Sequence, residues 1–292
     1  MSPLAELHRS LDAALVFGPT WNGHLSNHLP MALHAAWELG AEVDRLQAQL
    51  QHDAPKLERA PPSELETRIA VEIETYGAEA VLHRHVPQLV SMPHAGLFHG
   101  MIRTAHAWES GHARELAAAL AYWTALWRPQ PAVADAAAVA DAAAVPNVAD
   151  AGDEPWKDVR KRLIDRALDA YLASGNFFVL HLITGLRALR VLARFVPDRP
   201  EVSAWLARGF FVPDRPEVFA LLKQGFAVGW QRGEPQFTSV PLQDDALAWP
   251  VLRQAALAQM DEHALKLVHA CWQEDRLRPD ARWRRAAALA LS

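Results

Sequence analysis

Histidine gives this sequence its clearest chemical potential. The 292 residues include 14 His and 1 Cys, and only 5 of the 29 basic residues are Lys. Imidazole nitrogens suit iron, zinc and other first-row transition metals, whereas a thiolate site would need more than the single thiol of Cys271. A metal bound by this chain would therefore take imidazole and carboxylate ligands, and the histidines that point inward are the first candidates.

The first candidate lies near the start of a helical pattern that follows residue 27. Helical spacing places His28 on the same face as Ala32 and Leu39, whereas His34 falls on the opposite face with Glu38. The apolar face of an amphipathic helix packs against the core. We therefore expect His28 to be buried and His34 to be exposed.

A second pattern places His99, Arg103 and His106 at positions i, i+4 and i+7 of one helix, within a narrow sector. Gly100 lies in the same helix and costs about 1 kcal/mol relative to alanine. This cost predicts either close packing or the close approach of a ligand at Gly100. His99 is the candidate of this helix that faces inward, and His106 stays undecided.

Two further candidates lie in the second half of the chain. The segment 177–185 is apolar almost throughout, so His181 should be buried and needs a polar partner. Asp261 is expected to cap a helix on which His263 and Lys266 share a face. Lys266 lies close to the amino end of that helix, where the dipole disfavours a cation. We expect a lowered amine pKa, which favours a neutral amine or an anionic adduct.

Each candidate also has a plain structural explanation. A buried histidine often only donates to a backbone carbonyl, and Lys266 could simply pair with Glu262 at i, i+4. The remaining histidines lie in polar, terminal or ambiguous contexts. We predict solvent exposure for His8, His52, His83, His85 and His112, and leave His24, His94 and His269 undecided.

The spacing of apolar residues predicts an all-α fold. Apolar residues recur every three or four positions, and alternating strand patterns are missing. We predict one multi-helix domain over residues 1–292, with a central buried helix at 176–194 and a cavity for a ligand or metal. The predicted helices span about 3–16, 28–51, 63–85, 95–110, 112–127, 156–173, 176–194, 244–258, 261–275 and 279–290.

Two segments have unusual composition. Residues 129–155 repeat Ala, Val and Asp between prolines, which predicts a low-complexity surface linker within the domain. The sequence of residues 195–202 recurs at 211–218. Two copies of a 16-residue unit are too short for a solenoid, whose repeats span about 20–50 residues. We interpret the duplication as two short helices.

Charge and motifs exclude several classes of function. The net charge of −5 and the lack of a basic stripe argue against nucleic-acid binding. The longest apolar run is shorter than the roughly 18 residues that span a bilayer. With one cysteine and no secretory signal pattern, a cytoplasmic location is expected. The sequence also lacks nucleotide-binding loops and the motifs of zinc proteases and serine hydrolases.

Four segments together resemble the questin oxidase family. They are Trp21–Ala32, Phe98–Arg103, His181–Gly185 and Asp261–Lys266, and they spread over most of the chain. The resemblance implies an oxygenase that uses dioxygen on polycyclic aromatic, anthraquinone-type or polyketide-like compounds, by Baeyer–Villiger-type or ring-cleaving chemistry. A related branch is a nonheme iron dioxygenase whose metal is held by four histidines and a carboxylated lysine.

Carried over to this sequence, the resemblance implies a five-residue metal site. Its ligands would be His28, His99, His181 and His263, with Lys266 as the lysine that could be carboxylated. Arg103, one turn after His99, would act with His99 in catalysis by orienting a phenolate or reacting oxygen. Trp21, Phe98 and Phe178 could form the walls of an aromatic pocket. Iron is the expected metal, other divalent ions stay open, and NADPH is implied by the resemblance alone.

The expected partners are an aromatic small molecule and dioxygen. Neither nucleic acid nor a membrane is expected to bind. A homodimer is one possible assembly. Two other functions stay open. A helical protein could bind a small molecule in the same cavity without catalysis. A cofactorless monooxygenase could use His99 and Arg103 to deprotonate and position a phenol.

Overall fold

Helices account for nearly all regular structure in residues 3–93, 95–127, 156–196 and 248–292, which the computed structural model describes. Within these ranges there are twelve α-helices: Pro3–Ala14 (α1), Leu29–Glu38 (α2), Val43–Asp53 (α3), Glu64–Tyr76 (α4), Ala78–Leu89 (α5), His99–Ser110 (α6), Ala113–Leu126 (α7), Trp156–Ser174 (α8), Phe177–Val191 (α9), Trp249–Ala258 (α10), Glu262–Leu277 (α11) and Ala281–Leu289 (α12). Two 3₁₀ helices span Ala54–Lys56 and Ala193–Phe195, and strands Thr20–Trp21 (β1) and Leu25–Ser26 (β2) form an antiparallel hairpin. The all-α prediction is confirmed.

Two predicted long helices are each divided by a glycine. The pattern over 28–51 becomes α2 and α3, separated at Gly40 with φ of 98°. The pattern over 63–85 becomes α4 and α5, separated at Gly77 with φ of 82°. Both backbone angles lie in the left-handed region, which glycine adopts without steric cost and which ends a right-handed helix.

Four helices form the centre of the fold. Each contacts the next around a closed loop: α2 packs on α6, α6 on α9, α9 on α11, and α11 on α2. Six other helices pack on this core, with α1 and α3 against α2, α7 against α6, α8 against α9, and α10 and α12 against α11, while α4 and α5 pack against α7. Most of α9 is buried, which agrees with the central helix predicted at 176–194.

Side-chain caps fix where two of the central helices begin. The Asn176 carboxamide oxygen accepts from the backbone N–H of Phe178 at 2.8 Å, at the start of α9. The Asp261 carboxylate accepts from His263 N–H at 2.7 Å and from Ala264 N–H, at the start of α11. The predicted cap at Asp261 is confirmed, and both caps satisfy amide donors that the helix cannot.

Gly100 allows α6 and α7 to pack closely. A Cβ atom at Gly100 would lie 2.8 Å from the Cα atom of Trp123 and 2.7 Å from its Cδ1 atom. Trp123 is fully buried, so moving α6 away from α7 to make room for a larger side chain would disrupt close packing in the core. Of the two reasons that the sequence allowed for this glycine, the structure shows the packing one.

Some predictions lie outside the described residues. These are the linker at 129–155, nearly all of the duplicated segments, the first residues of the helix predicted from 244, and the position of His94. Within the described ranges, no helix combines the length and the apolar character needed to cross a bilayer.

Candidate metal centre

Four of the five predicted metal ligands meet where the central helices begin. His28 directly precedes α2, His99 is the first residue of α6, His181 is the fifth of α9, and His263 is the second of α11. Their ring centres follow a closed loop, with separations of 4.6 Å for His28–His99, 4.9 Å for His99–His181, 5.4 Å for His181–His263 and 4.4 Å for His263–His28. We name these residues, with Lys266, the first histidine group.

The ring spacing fits imidazoles that share one ion. A metal–nitrogen bond of about 2.0–2.1 Å puts the ring centre about 3.2 Å from the metal, so neighbouring rings lie about 4.5 Å apart at a right angle and about 5.2 Å apart at a tetrahedral angle. The nitrogens of His28, His99 and His263 already lie within 4.8 Å of one another. The group is therefore compatible with a metal without a rearrangement of the helices.

Backbone carbonyls orient two of the rings. His99 Nδ1 donates to the carbonyl of Gly96 at 2.6 Å, and His181 Nδ1 donates to that of Phe177 at 2.8 Å. In each neutral ring the proton lies on Nδ1, so Nε2 carries the free lone pair. His181 Nε2 has no hydrogen-bond partner in the described chain. Metal-binding histidines are typically held through the second nitrogen in this way.

His28 would need the opposite tautomer to bind a metal through Nε2. Its Nε2 lies 2.7 Å from His99 Nε2, and because His99 carries its proton on Nδ1, His28 is the donor of this pair. The Glu262 carboxylate lies 3.6 Å from His28 Nδ1. Transfer of the proton to Nδ1 would direct it toward Glu262 and free Nε2 for a metal.

Lys266 is an amine buried among these rings. The side chain is 2 % exposed, and Nζ has no hydrogen-bond partner among the described residues. Burial lowers the amine pKa to about 8, while Glu262 and Asp261 act to raise it. The predicted lowering is confirmed, but its main cause is loss of solvent. At neutral pH this lysine is much closer to the neutral form than an exposed lysine would be.

All four imidazoles are kept neutral by the same environment. Burial is the largest cause of the lowered pKa at His28, His99, His181 and His263, and the Lys266 charge lowers each further. Neutral imidazole is the form that binds metals. The amino ends of α2, α6 and α11 also converge here, and helix amino ends favour anions. A metal at this point would be stabilised by an anionic ligand beside the imidazoles.

The first histidine group has a buried side and an open side. His99 and His181 are 5 % and 0 % exposed, whereas the side chains of His28, His263 and Glu262 are 12 %, 19 % and 25 % exposed. A substrate would therefore approach past His28, His263 and Glu262.

Phe177 is an aromatic neighbour that the sequence analysis did not select. Its ring centre lies 4.7 Å from those of His181 and His263, edge to face. The resemblance suggests Trp21, Phe98 and Phe178 for the walls of the site. Phe177 lies one helical turn before His181, and Glu262 directly precedes His263; this closeness to predicted ligands is the signal in the sequence that points to them.

Arg103 has a different environment from the one predicted. Its Nε and a terminal nitrogen donate to the two carboxylate oxygens of Glu115 at 2.6 and 2.8 Å, and both side chains are buried. This bidentate pair joins α6 to α7 and raises the pKa of Arg103 against its burial. The structure thus engages Arg103 with a carboxylate, whereas the sequence suggested a guanidinium available to a substrate oxygen.

Three further histidines are buried together deeper in the same core. His34, His106 and His269 are 1 %, 4 % and 0 % exposed. The prediction that His34 is exposed is wrong, because α2 is buried on every side and has no polar face. We name these three residues, with Arg187, the second histidine group.

The prediction for His112 is also wrong. It is buried and caps α7, where its Nδ1 accepts from the backbone N–H of Glu115 at 3.0 Å. Histidine can take this capping role because a neutral ring has one acceptor nitrogen.

Comparison of the sequence with protein-family models and with curated proteins finds no match. The resemblance to questin oxidases therefore depends on the four short sequence segments alone.

Proposed function

We propose that this protein is a metal-dependent oxygenase, with nonheme iron as the metal, acting with dioxygen on an aromatic substrate of polyketide or anthraquinone type. The observation that carries the proposal is the convergence of four neutral imidazoles and one buried lysine in the first histidine group. A cytoplasmic location and a homodimer belong to the same proposal as expectations from the sequence.

The donor set fits iron. Imidazole nitrogen and anionic oxygen are both suitable ligands, and four imidazoles with one further ligand leave one position of an octahedral ion open. The neutral Lys266 amine can add to carbon dioxide, forming an N–C bond and releasing one proton, which leaves an anionic carbamate. That anion would offset the charge of the metal where helix amino ends disfavour a cation.

Iron held there would supply the one-electron chemistry that lets dioxygen react with an aromatic ring. The protein residues have separate tasks. Backbone carbonyls hold the His99 and His181 rings through Nδ1, and Phe177 packs its ring edge beside the centre. In the tautomer of His28 that binds through Nε2, the Nδ1 proton would face the Glu262 carboxylate, 3.6 Å away. The converging helix amino ends favour a phenolate over a phenol at the open side.

The proposal does not include a nicotinamide site, because NADPH comes from the family resemblance alone. A cofactorless monooxygenase is the weaker candidate, since the Glu115 carboxylate already binds both forked nitrogens of Arg103. A binding protein without catalysis would use the same open side.

The test combines metal analysis with oxygen uptake. Protein purified without chelator should contain iron, and hydroxyanthraquinones should cause oxygen consumption that is lost in His181→Ala. His52→Ala, which removes an exposed histidine, should change neither. Full metal content in both His28→Ala and His181→Ala would contradict the proposal. Activity after complete removal of metal would indicate the cofactorless reaction, and tight ligand binding without oxygen uptake would indicate a binding protein.

A further inference from the structure

The second histidine group repeats the first at a deeper level of the same four helices. His34, His106, Arg187 and His269 follow the ligands of the first group by six or seven residues on α2, α6, α9 and α11. Six helical residues span about 9 Å. Because both sets meet in space, the four helices run in the same direction, and Arg187 takes the place of the fourth histidine.

The ring centres of the three histidines are spaced like those of imidazoles that share one ion, although their nitrogens do not converge in the present ring orientations of the described structure. Their centres are 5.1 Å apart for His34–His106, 5.8 Å for His34–His269 and 5.3 Å for His106–His269. A point equidistant from these three centres is about 3.1 Å from each, close to the roughly 3.2 Å expected for a metal-bound imidazole.

The polar atoms of this group are incompletely paired. His34 Nε2 and both ring nitrogens of His269 are buried without a hydrogen-bond partner, as are Nε and one terminal nitrogen of Arg187. The one bond between the rings joins His34 Nδ1 and His106 Nδ1 at 2.8 Å. Unpaired buried polar groups lower the stability of the folded protein. A bound species that pairs with both the imidazole nitrogens and the guanidinium N–H groups would remove this cost.

We propose that the second histidine group is a separate metal site, in which His34, His106 and His269 bind a divalent, zinc-like ion. The fourth ligand is a small anion such as hydroxide or chloride, which accepts from the free N–H groups of Arg187. Rotation of the rings about their Cβ–Cγ bonds turns one nitrogen of each toward the ion, and the proton between His34 and His106 moves to the outer nitrogen of its ring.

The charges around the second histidine group suit a divalent ion bound by three neutral imidazoles and one anion. Burial and the nearby Arg187 guanidinium keep the three histidines neutral, as metal binding requires. Arg187 is itself paired with Glu109 and donates to Gln273 at 2.8 Å. The Glu109 carboxylate offsets the guanidinium, and the anionic ligand offsets one charge of the ion. Three imidazoles with one exogenous ligand is a common arrangement for zinc.

Cobalt serves as the probe because four-coordinate Co²⁺ absorbs visible light much more strongly than six-coordinate Co²⁺. The full-length chain is produced in medium supplemented with Co²⁺, so that the ion can enter before the core closes, and metal content is measured by mass spectrometry. We expect two equivalents per chain and an intense visible band. His269→Leu and His34→Leu should each retain one equivalent and lose the band, and His52→Ala should retain both.

The reciprocal variant separates the two sites. A chain with His28→Ala and His263→Ala should retain one equivalent together with the intense band. A wild-type content of one equivalent that is unaffected by His269→Leu would overturn the second site while leaving the first intact. One equivalent lost in His269→Leu but retained in the double variant would instead overturn the proposed function.

If the leucine variants do not fold, a crystal of the wild-type chain decides. Anomalous scattering at the cobalt edge should place a peak between the three rings. Ordered water alone at that point would overturn the proposal.

Discussion

The two histidine groups occupy the same four helices, but their ring nitrogens are held in different ways. In the first group, carbonyls of Gly96 and Phe177 bind the Nδ1 atoms of His99 and His181, so that the Nε2 atoms point to the shared centre. In the second group, His34 and His106 bond each other through Nδ1, and neither ring nitrogen of His269 has a hydrogen-bond partner in the described chain.

This difference separates a preorganised site from an adaptable one. Ligands that are already oriented bind a metal without losing internal hydrogen bonds. A metal in the second group must first replace the bond between His34 and His106. The first group also opens toward solvent at His28 and Glu262, whereas the second is buried on all sides. In the proposed function, substrate would therefore reach the first group alone.

The largest expected effect is a loss of folding stability in acid, to which both histidine groups contribute. Buried neutral histidines have lowered pKa values, with His34 at about 3 and burial as the main cause. Between pH 6.5 and these lower values the unfolded chain binds more protons than the folded one, so stability falls as the pH falls. For metal-free protein we expect a loss of about 1 kcal/mol for each such histidine between pH 7.5 and 5.5.

Urea unfolding at several pH values measures this effect. His34→Leu and His181→Leu should each reduce the slope of stability against pH. A stability that stays constant from pH 7.5 to 5.5 would show that these histidines are not buried as neutral rings.

The second effect separates the groups by metal affinity. His181→Ala removes a ligand held by Phe177, and we expect the affinity of the first group for Fe²⁺ or Co²⁺ to fall at least about 100-fold. His269→Ala should leave that affinity within about twofold, because His269 lies about two helical turns away. Isothermal titration of chelator-treated protein gives both values. Equal losses in the two variants would mean that the groups are not independent.

The helices and their caps could be predicted from local pattern, because apolar spacing, proline and Asp261 act within a few residues of where they lie. The breaks at Gly40 and Gly77 were missed because an apolar pattern continues across each of them. Helix propensity predicts the end of a helix poorly where tertiary packing decides where the chain turns.

The first histidine group could be proposed because its members lie in the four segments that carry the family resemblance. The second group could not, because His34, His106 and His269 lie outside those segments. Their contact joins residues as distant as 72 positions, which no local pattern encodes. Face analysis failed for His34 because α2 is buried all round. The pairing of Arg103 could not be predicted from its own helix because the carboxylate of Glu115 belongs to the next one.

A smaller effect arises at Lys266, the member of the first group that lies between His263 and His269 on α11. Its amine pKa is about 8 when folded against 10.5 otherwise, so the folded state binds fewer protons between these values and stability rises with pH across that window. Below pH 8 the penalty of the buried charge is fully present. Lys266→Met should therefore stabilise metal-free protein by up to about 3 kcal/mol at pH 7 and by little near pH 10.5.

Thermal and urea unfolding of chelator-treated protein check this prediction. Added bicarbonate should stabilise the wild type, through the carbamate of Lys266, and should have no effect on Lys266→Met. If the methionine variant is less stable than the wild type at pH 7, the amine is satisfied in the folded protein and the proposed carbamate has no basis.

The smallest expected effect tests whether Glu262, on the open side of the first group, increases the metal affinity of that group. Glu262→Gln keeps the size of the side chain but removes the negative charge 3.6 Å from His28 Nδ1. The amide accepts the His28 proton less well than the carboxylate, so we expect metal affinity at the first group to fall about 10-fold. The second group should keep its affinity, since Glu262 does not contact it. Glu42→Gln, at the exposed start of α3, is the matched control. An unchanged affinity in Glu262→Gln would mean that His28 binds without this partner, and the two groups would then differ only at His99 and His181.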